Sequence, residues 1–274
     1  MIIAPSGFLL AAPAGAPPLT HPRILWRNRV ANLLASAITV SGETAAGPRD
    51  APTRPNTDEY WEPPALPASI VFDLGEALTI DGVGLLGNFG TCHTAVKVEV
   101  GTDPAFAADA TFGEERMPDD DSAILVLDSA RIGRYLRVGL TGSVPPKLAV
   151  ASGGEVLAME KAVSGPYKPI SLARKTVLSG RRSRGGQFLG QGFRSHGLVS
   201  EAAFRNLSAA WVRAMFDPFA KSARGLPYFF AWNPSELPRE VGYVWTVGED
   251  IVPTHNGNGF DMDVSWEMEG IGHE

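Results

Sequence analysis

Residues 68–90, ASIVFDLGEALTIDGVGLLGNFG, decide how the first half of this chain is read. "SIVFDL" and "LTIDGVGLL" are short apolar runs, and the "GEA" between them is a turn signal. Val and Ile recur at strand spacing, and the loop that follows carries Asn88 between glycines. The same pattern continues outward. "AVKVEVG" places Val96, Val98 and Val100 on one face at period two. "AILVLD" and "RYLRVGL" add two more runs, the latter alternating Tyr135 and Arg137 against Leu136, Val138 and Leu140. Short strands separated by turn signals predict a sandwich. Residues 42–67, rich in proline and polar groups, read as a long loop.

The 274 residues, with 30 glycines and 22 prolines, fit one large or two ordinary β-rich domains. A net charge of -6 argues against broad nucleic-acid binding by the whole chain. The single cysteine, Cys92, excludes an internal disulfide. No apolar run reaches membrane-spanning length. The first residues, MIIAPSGFLLAAPAGAPPL, lack a basic segment and are interrupted by prolines, so they read as an extended arm rather than a signal peptide.

Charge divides the chain. Between Lys161 and Arg224, twelve Lys and Arg face only Glu201 and Asp217, while the flanking stretches are acidic. The expected division is an arm over 1–28, a sandwich over 29–158 and a second unit over 159–274. The second unit holds one helix signal, "LSAAWVRAMFDPFAKSARG". Ser208 suits the N-cap, and Trp211, Val212, Met215, Phe216 and Phe219 make one broad apolar face. Lys221 and Arg224 suit the negative end of the helix, Gly225 suits the C-cap, and Pro218 is expected to kink the last turn. "PYFFAW", "VGYVWTV" and "GFDMDVSWEMEGI" read as strands, the last with Met262, Val264, Trp266 and Met268 alternating against polar residues. The fold class expected is therefore all-β, two sandwiches with one flanking helix.

Signals for catalysis are weak. Five histidines are scattered without metal-ligand spacing. Cys92 beside His93 is no dyad on a strand, because neighbours point to opposite faces; a small buried side chain is the default. Asp119, Asp120 and Asp121 lack the spacing of a calcium loop and read as a solvated turn. Glu114 and Glu115 give no sign of facing each other across a cleft. "RRSRGGQFLGQG", residues 181–192, lacks the Gly-Lys-Ser/Thr ending of a phosphate loop and reads as a basic hairpin that meets an acidic neighbour. "HNGNG", residues 255–259, is a hairpin turn signal. The expectation is no enzyme, no cofactor and no metal.

"NLLASAITVSG", "SIVFDLGEALTIDGVGLLGNFG" and "RYLRVGLTG" together resemble the galactose-binding-like, discoidin-type jelly roll over about residues 30–155. The carrying residues are Asp73, Leu74 and Gly75, then Ile80, Asp81 and Val83, then Arg134, Tyr135, Leu136 and Arg137. About residues 165–272 resemble the tail-tube-like domain of phage distal-tail and baseplate-hub proteins, on the capped Trp211 helix, "GLPYFFAWNPSELPREVGYVW" and the final strand ending "EMEGI".

The combined resemblance implies a structural protein of the tail tip of a long-tailed phage or gene-transfer particle, located in the virion. It implies a homo-oligomeric ring, six-fold rather than three-fold, beside the tail tube and hub proteins. The ring interface is expected on Arg174, Lys175, Arg181, Arg182, Arg184, Phe188 and Phe193. Host-surface glycan is the candidate ligand of the jelly roll, at Arg54, Asp58, Tyr60, Trp61, Asn88, Phe89 and His93, with Tyr60 or Trp61 stacking on a sugar ring; the competing reading of the same residues is that Trp61 covers the sandwich end and Asn88 satisfies a turn. A stand-alone carbohydrate-binding protein is the alternative, and a cell-wall hydrolase with an accessory sugar-binding module is the third reading. Membrane insertion and nucleic acid are not expected.

Overall fold

A computed structural model describes residues 17–106, 111–116, 123–195, 197–238, 240–257 and 260–271. The chain begins with β1 (Arg23–Leu25) and β2 (Ile38–Val40), then the long β3 (Ala68–Gly87). β4 (Ala95–Gly101), β5 (Thr111–Arg116), the long β6 (Ala123–Thr141), β7 (Leu148–Gly154) and β8 (Val156–Ala158) follow. The later strands are β9 (Val177–Arg182), β10 (Phe188–Ser195), β11 (Leu198–Ser208), β12 (Tyr228–Ala231), β13 (Val241–Val247), β14 (Thr254–His255) and β15 (Asp261–Ile271). Among the described residues the architecture is mostly antiparallel β, with one longer helical segment and two single 3-10 turns, Ala35–Ala37 and Ala51–Thr53.

The two runs of the 68–90 stretch are one strand. β3 passes through the expected turn and bends there, with Gly75 at φ 81°, a conformation that favours glycine. β6 bends with it, and their pairing shifts register between Asp73 and Leu78. Asp73 locks the bend. Its carboxylate accepts two hydrogen bonds from Arg134, at 2.7 and 2.8 Å, and one from the Gly75 N–H at 2.9 Å. The bend folds one hydrogen-bonded sheet into two layers. The first half of β3 lies with β2, the second half of β6, β4 and β5; the second half lies with β7 and the first half of β6. Ile70, Phe72, Ile80, Val83, Leu85, Val98, Leu136 and Val138 fill the space between. Apolar residues of both halves on one side of a bent ribbon can be buried only by this closure.

The second sheet runs β11-β15-β13-β12-β1-β8, with β14 on β15. Arg23–Leu25, read from the sequence as part of an arm, is an inner strand here, paired with both β12 and β8. β8, placed by the sequence at the end of the first sandwich, belongs to this sheet. One face of the sheet packs Phe204, Tyr228, Phe230, Val264, Trp266 and Met268 against the helical segment. The other face, with Leu25, Phe229, Ala231, Val241 and Tyr243, packs on Leu86, Leu125 and Val150 of the first sandwich. The second layer of the sandwich is thus apolar on both sides.

The helical segment begins at Ser208, whose hydroxyl accepts from the Trp211 N–H at 3.4 Å. An α-turn (Ala209–Trp211) leads into a π-turn (Val212–Phe216) and a last α-helical stretch (Asp217–Ser222). The wider turn sits just before Pro218, which has no N–H to continue the ladder. It also rotates the apolar face: Phe216 and Phe219 are buried, whereas Met215, expected inside, is exposed.

Gly84 shows how tightly the two β-layers meet. A Cβ there would stand 2.4 Å from Cδ2 of Phe229, a ring with no exposed surface. Gly84→Ala is therefore expected to destabilise the fold by about 2 kcal/mol, the usual cost of overpacking. Denaturant unfolding checks this; a change within about 0.5 kcal/mol would mean that the layers separate easily.

Candidate functional site

Of the expected glycan site, residues 60–61 and 88–92 meet residues 145–148 at one end of the first sandwich. Trp61 is fully buried. Its backbone pairs with Leu148 in both directions, at 2.8 and 2.9 Å, and its indole N–H donates to the Gly42 carbonyl at 3.0 Å. Phe89 is equally buried. Neither ring presents a face to a ligand. Both are members of the sandwich core instead.

The polar members are also engaged. Asn88 Oδ1 accepts from the Lys147 N–H at 2.6 Å, and the Asn88 N–H donates to the Lys147 carbonyl at 3.3 Å, so Asn88 straps two loops together. Tyr60 is half-buried, with Lys147 Nζ 4.3 Å from its ring centroid; the ammonium covers the face that a sugar would use. The phenol raises the Lys147 pKa, first through a hydrogen bond. Arg54 is held by Glu59 and by Asp50, the latter at 2.5 Å. His93 is exposed, at φ 48°. Asp58 is exposed and faces elsewhere, as described below. Structure thus brings Tyr60 and Asn88 together around Lys147, turns Trp61 and Phe89 inward, and sends Asp58 away.

Cys92 is buried, and its thiol approaches the Pro145 carbonyl at 3.7 Å. Burial pushes its pKa up, away from a reactive thiolate. The Asp119–Asp121 turn lies outside the described residues, as does part of the "HNGNG" turn. Glu114 and Glu115 lie on β5, and their side chains are outside the description. Among the described residues no group of three or more His, Cys, Asp or Glu is placed to hold a metal ion. No described helix is long and apolar enough to cross a membrane.

The basic stretch forms a ribbon. β9 and β10 pair only with each other among the described residues, as a two-stranded sheet. Ser183 closes its tip: its N–H donates to the Gln187 carbonyl at 2.8 Å, and its hydroxyl accepts from the Gln187 N–H at 3.0 Å. Arg181, Arg182 and Arg184 are exposed there, and Phe188 and Leu189 follow at 71% and 62% exposure. Arg174 and Lys175 lie at the root instead. Arg174 bridges to Leu198, and Lys175 is already paired with Glu269. The side chain of Phe193 is outside the description.

A feature that the sequence did not disclose is an open groove of about 540 Å³ between the first sandwich and the second sheet. Residues 55–58 form one wall, 223–227 the other, and Tyr243 and Trp245 of β13 the floor. The Tyr243 hydroxyl donates to the Pro55 carbonyl at 3.0 Å and fixes the loop against the sheet. At period two Trp245 shares a face with the buried Val241 and Tyr243, so the pattern of "VGYVWTV" gave no sign that Trp245 is exposed.

No family model matches the chain, and no curated protein matches it. Solved structures do. Chitosan-binding module 1 of a chitosanase/glucanase from Paenibacillus sp. IK-5 is 18% identical, with TM-score 0.40, over 47% of this chain and 99% of the module. The CBM32 of AlyQ, solved in complex with 4,5-unsaturated mannuronic acid, is 20% identical with TM-score 0.38, over 43% of this chain and 92% of that one. A CBM32 from Clostridium perfringens, in complex with GalNAc-beta-1,3-galactose, is 15% identical with TM-score 0.39, over 48% of this chain and 99% of that one.

Proposed function

We propose that the chain is a non-catalytic structural subunit that assembles with copies of itself through the β9–β10 ribbon. The assembly that fits is a ring at the distal end of a long-tailed phage tail, with the first sandwich at its periphery. One observation carries this reading: the ribbon leaves the body with Phe188 and Leu189 in solvent beside Arg181, Arg182 and Arg184. Apolar side chains this exposed on a hairpin without further sheet partners are the mark of a contact surface. The arginines select an acidic face, which a chain of net charge -6 with a basic ribbon offers elsewhere on its surface. A head-to-tail contact of ribbon to body closes into a ring when its rotation divides a full turn.

Native mass and electron microscopy on one sample test this. Closed rings are expected at about 50 µM, and Phe188→Ser with Leu189→Ser is expected to weaken assembly at least about a hundredfold, since two large side chains would lose their burial. A strictly monomeric wild type, alone and with purified tail-tube protein, overturns the reading.

A second reading is a free carbohydrate-binding protein. The half-buried Tyr60 beside Lys147 at the end of the sandwich favours it only once Lys147 is displaced. Glycan binding by a monomer, lost on Tyr60→Ala, would establish it.

A further inference from the structure

We infer that the groove between residues 55–58, residues 223–227 and β13 is a binding site for a neutral or amino sugar, distinct from the loop end of the sandwich. Its volume, about 540 Å³, suits a short oligosaccharide. A sugar needs an apolar platform for its C–H face and planar polar groups for its hydroxyls, and both converge here. Trp245, 37% exposed, supplies the platform, and Leu226 extends it. Asn56, Thr57 and Asp58 stand exposed on the facing wall. None of the three makes a side-chain hydrogen bond or ion pair with the described residues, so their donors and acceptors are free for a ligand.

Charge narrows the class. Arg224, the cation on the wall, is paired with Asp250 at 2.9 Å. Asp58 is left as the unneutralised charge among the wall residues. A phosphate or uronic acid would meet that carboxylate, whereas a hydroxyl pair or an ammonium would be held by it. The groove is also pre-formed. Tyr243 anchors its loop wall through Pro55, and β13 is an inner strand, so little ordering opposes binding.

The site belongs to one chain and does not depend on ring assembly. The test is calorimetric titration with chitotriose, its N-acetylated form, cellotriose and lactose, using wild type, Trp245→Ala, Trp245→Phe, Asp58→Asn and Tyr60→Ala. At least one probe is expected to bind with millimolar or better affinity. Trp245→Ala should weaken it at least about tenfold and Asp58→Asn several-fold, while Trp245→Phe retains most of it and Tyr60→Ala has no effect. Matching thermal midpoints separate lost binding from lost folding. The inference is overturned if no probe binds by about 10 mM, if Trp245→Ala binds like wild type, or if loss follows Tyr60→Ala.

Discussion

Trp266→Ala is expected to lower the unfolding free energy by about 4 kcal/mol, toward the upper end of what truncating one core side chain costs. Trp266 lies on β15, an inner strand between β11 and β13. Its ring stacks on Phe204 at 5.5 Å and 16°, and meets Phe216 at 5.7 Å and Phe219 at 5.9 Å. Its indole N–H donates to the Tyr228 hydroxyl at 2.8 Å. The loss therefore has two parts. The first is the transfer free energy of an indole and the cavity that it leaves. That cavity has walls on the sheet and on the helical segment, each fixed by its own hydrogen bonds, so it cannot collapse. The second is the lost donor to Tyr228, whose hydroxyl keeps only Thr246 at 3.4 Å. Trp266→Phe keeps most of the packing and is expected to cost about half as much. Denaturant unfolding followed by circular dichroism measures both. A loss below about 1.5 kcal/mol would show that helix and sheet are loosely joined.

Much of this core was legible in the sequence. Met262, Val264, Trp266 and Met268 alternate against polar neighbours, and all four point inward. Ser208 caps its helix as its position foretold. The alternation of Leu136, Val138 and Leu140 marked the buried face of β6. These are local signals, with a period set by backbone geometry alone.

What escaped is non-local. "RIL" is too short to announce a strand, and β1 exists because β12 and β8 offer it two edges. The "GEA" turn signal did bend the chain, yet β3 continued because β6 bends with it. Trp61 could be read as a ligand platform beside Tyr60 or as the cover of the sandwich end; the residue that decides for the cover, Leu148, lies far along the chain. The groove was invisible for the same reason, since its walls come from three separate segments.

Asp81→Asn is expected to stabilise the protein at pH 8 by about 2 kcal/mol and to flatten its stability between about pH 4 and 7. The residue stands where the two β-layers meet, and its Oδ1 accepts from the Val156 N–H at 2.7 Å. Burial is the main cause that raises its pKa to about 6, and Glu155 adds to it; the Val156 hydrogen bond and Arg23 oppose. A carboxyl whose pKa is higher in the folded than in the unfolded chain holds its proton more tightly when folded. Its contribution is fully present below the unfolded value near 4 and is lost as pH rises through about 6. A rise from near 4 to about 6 corresponds to roughly 3 kcal/mol, from which the buried amide N–H of Asn, lacking an acceptor, subtracts about one. Asn keeps the acceptor for Val156 and removes the charge.

The opposing effect is Arg23, which is buried and would lose a countercharge. Burial is also the dominant influence on Arg23, lowering its pKa to about 10 against the pull of Asp81. Its guanidinium already donates to the carbonyls of Pro17, Pro18, His21 and Pro22, at 2.6 to 3.3 Å. Those four acceptors remain in the variant, so the guanidinium is not left bare. Desolvation of the carboxylate therefore outweighs the attraction between the two charges. Unfolding titrations at several pH values decide the matter: a variant less stable than wild type at pH 8 would mean that Asp81 and Arg23 hold the layers together as an ion pair.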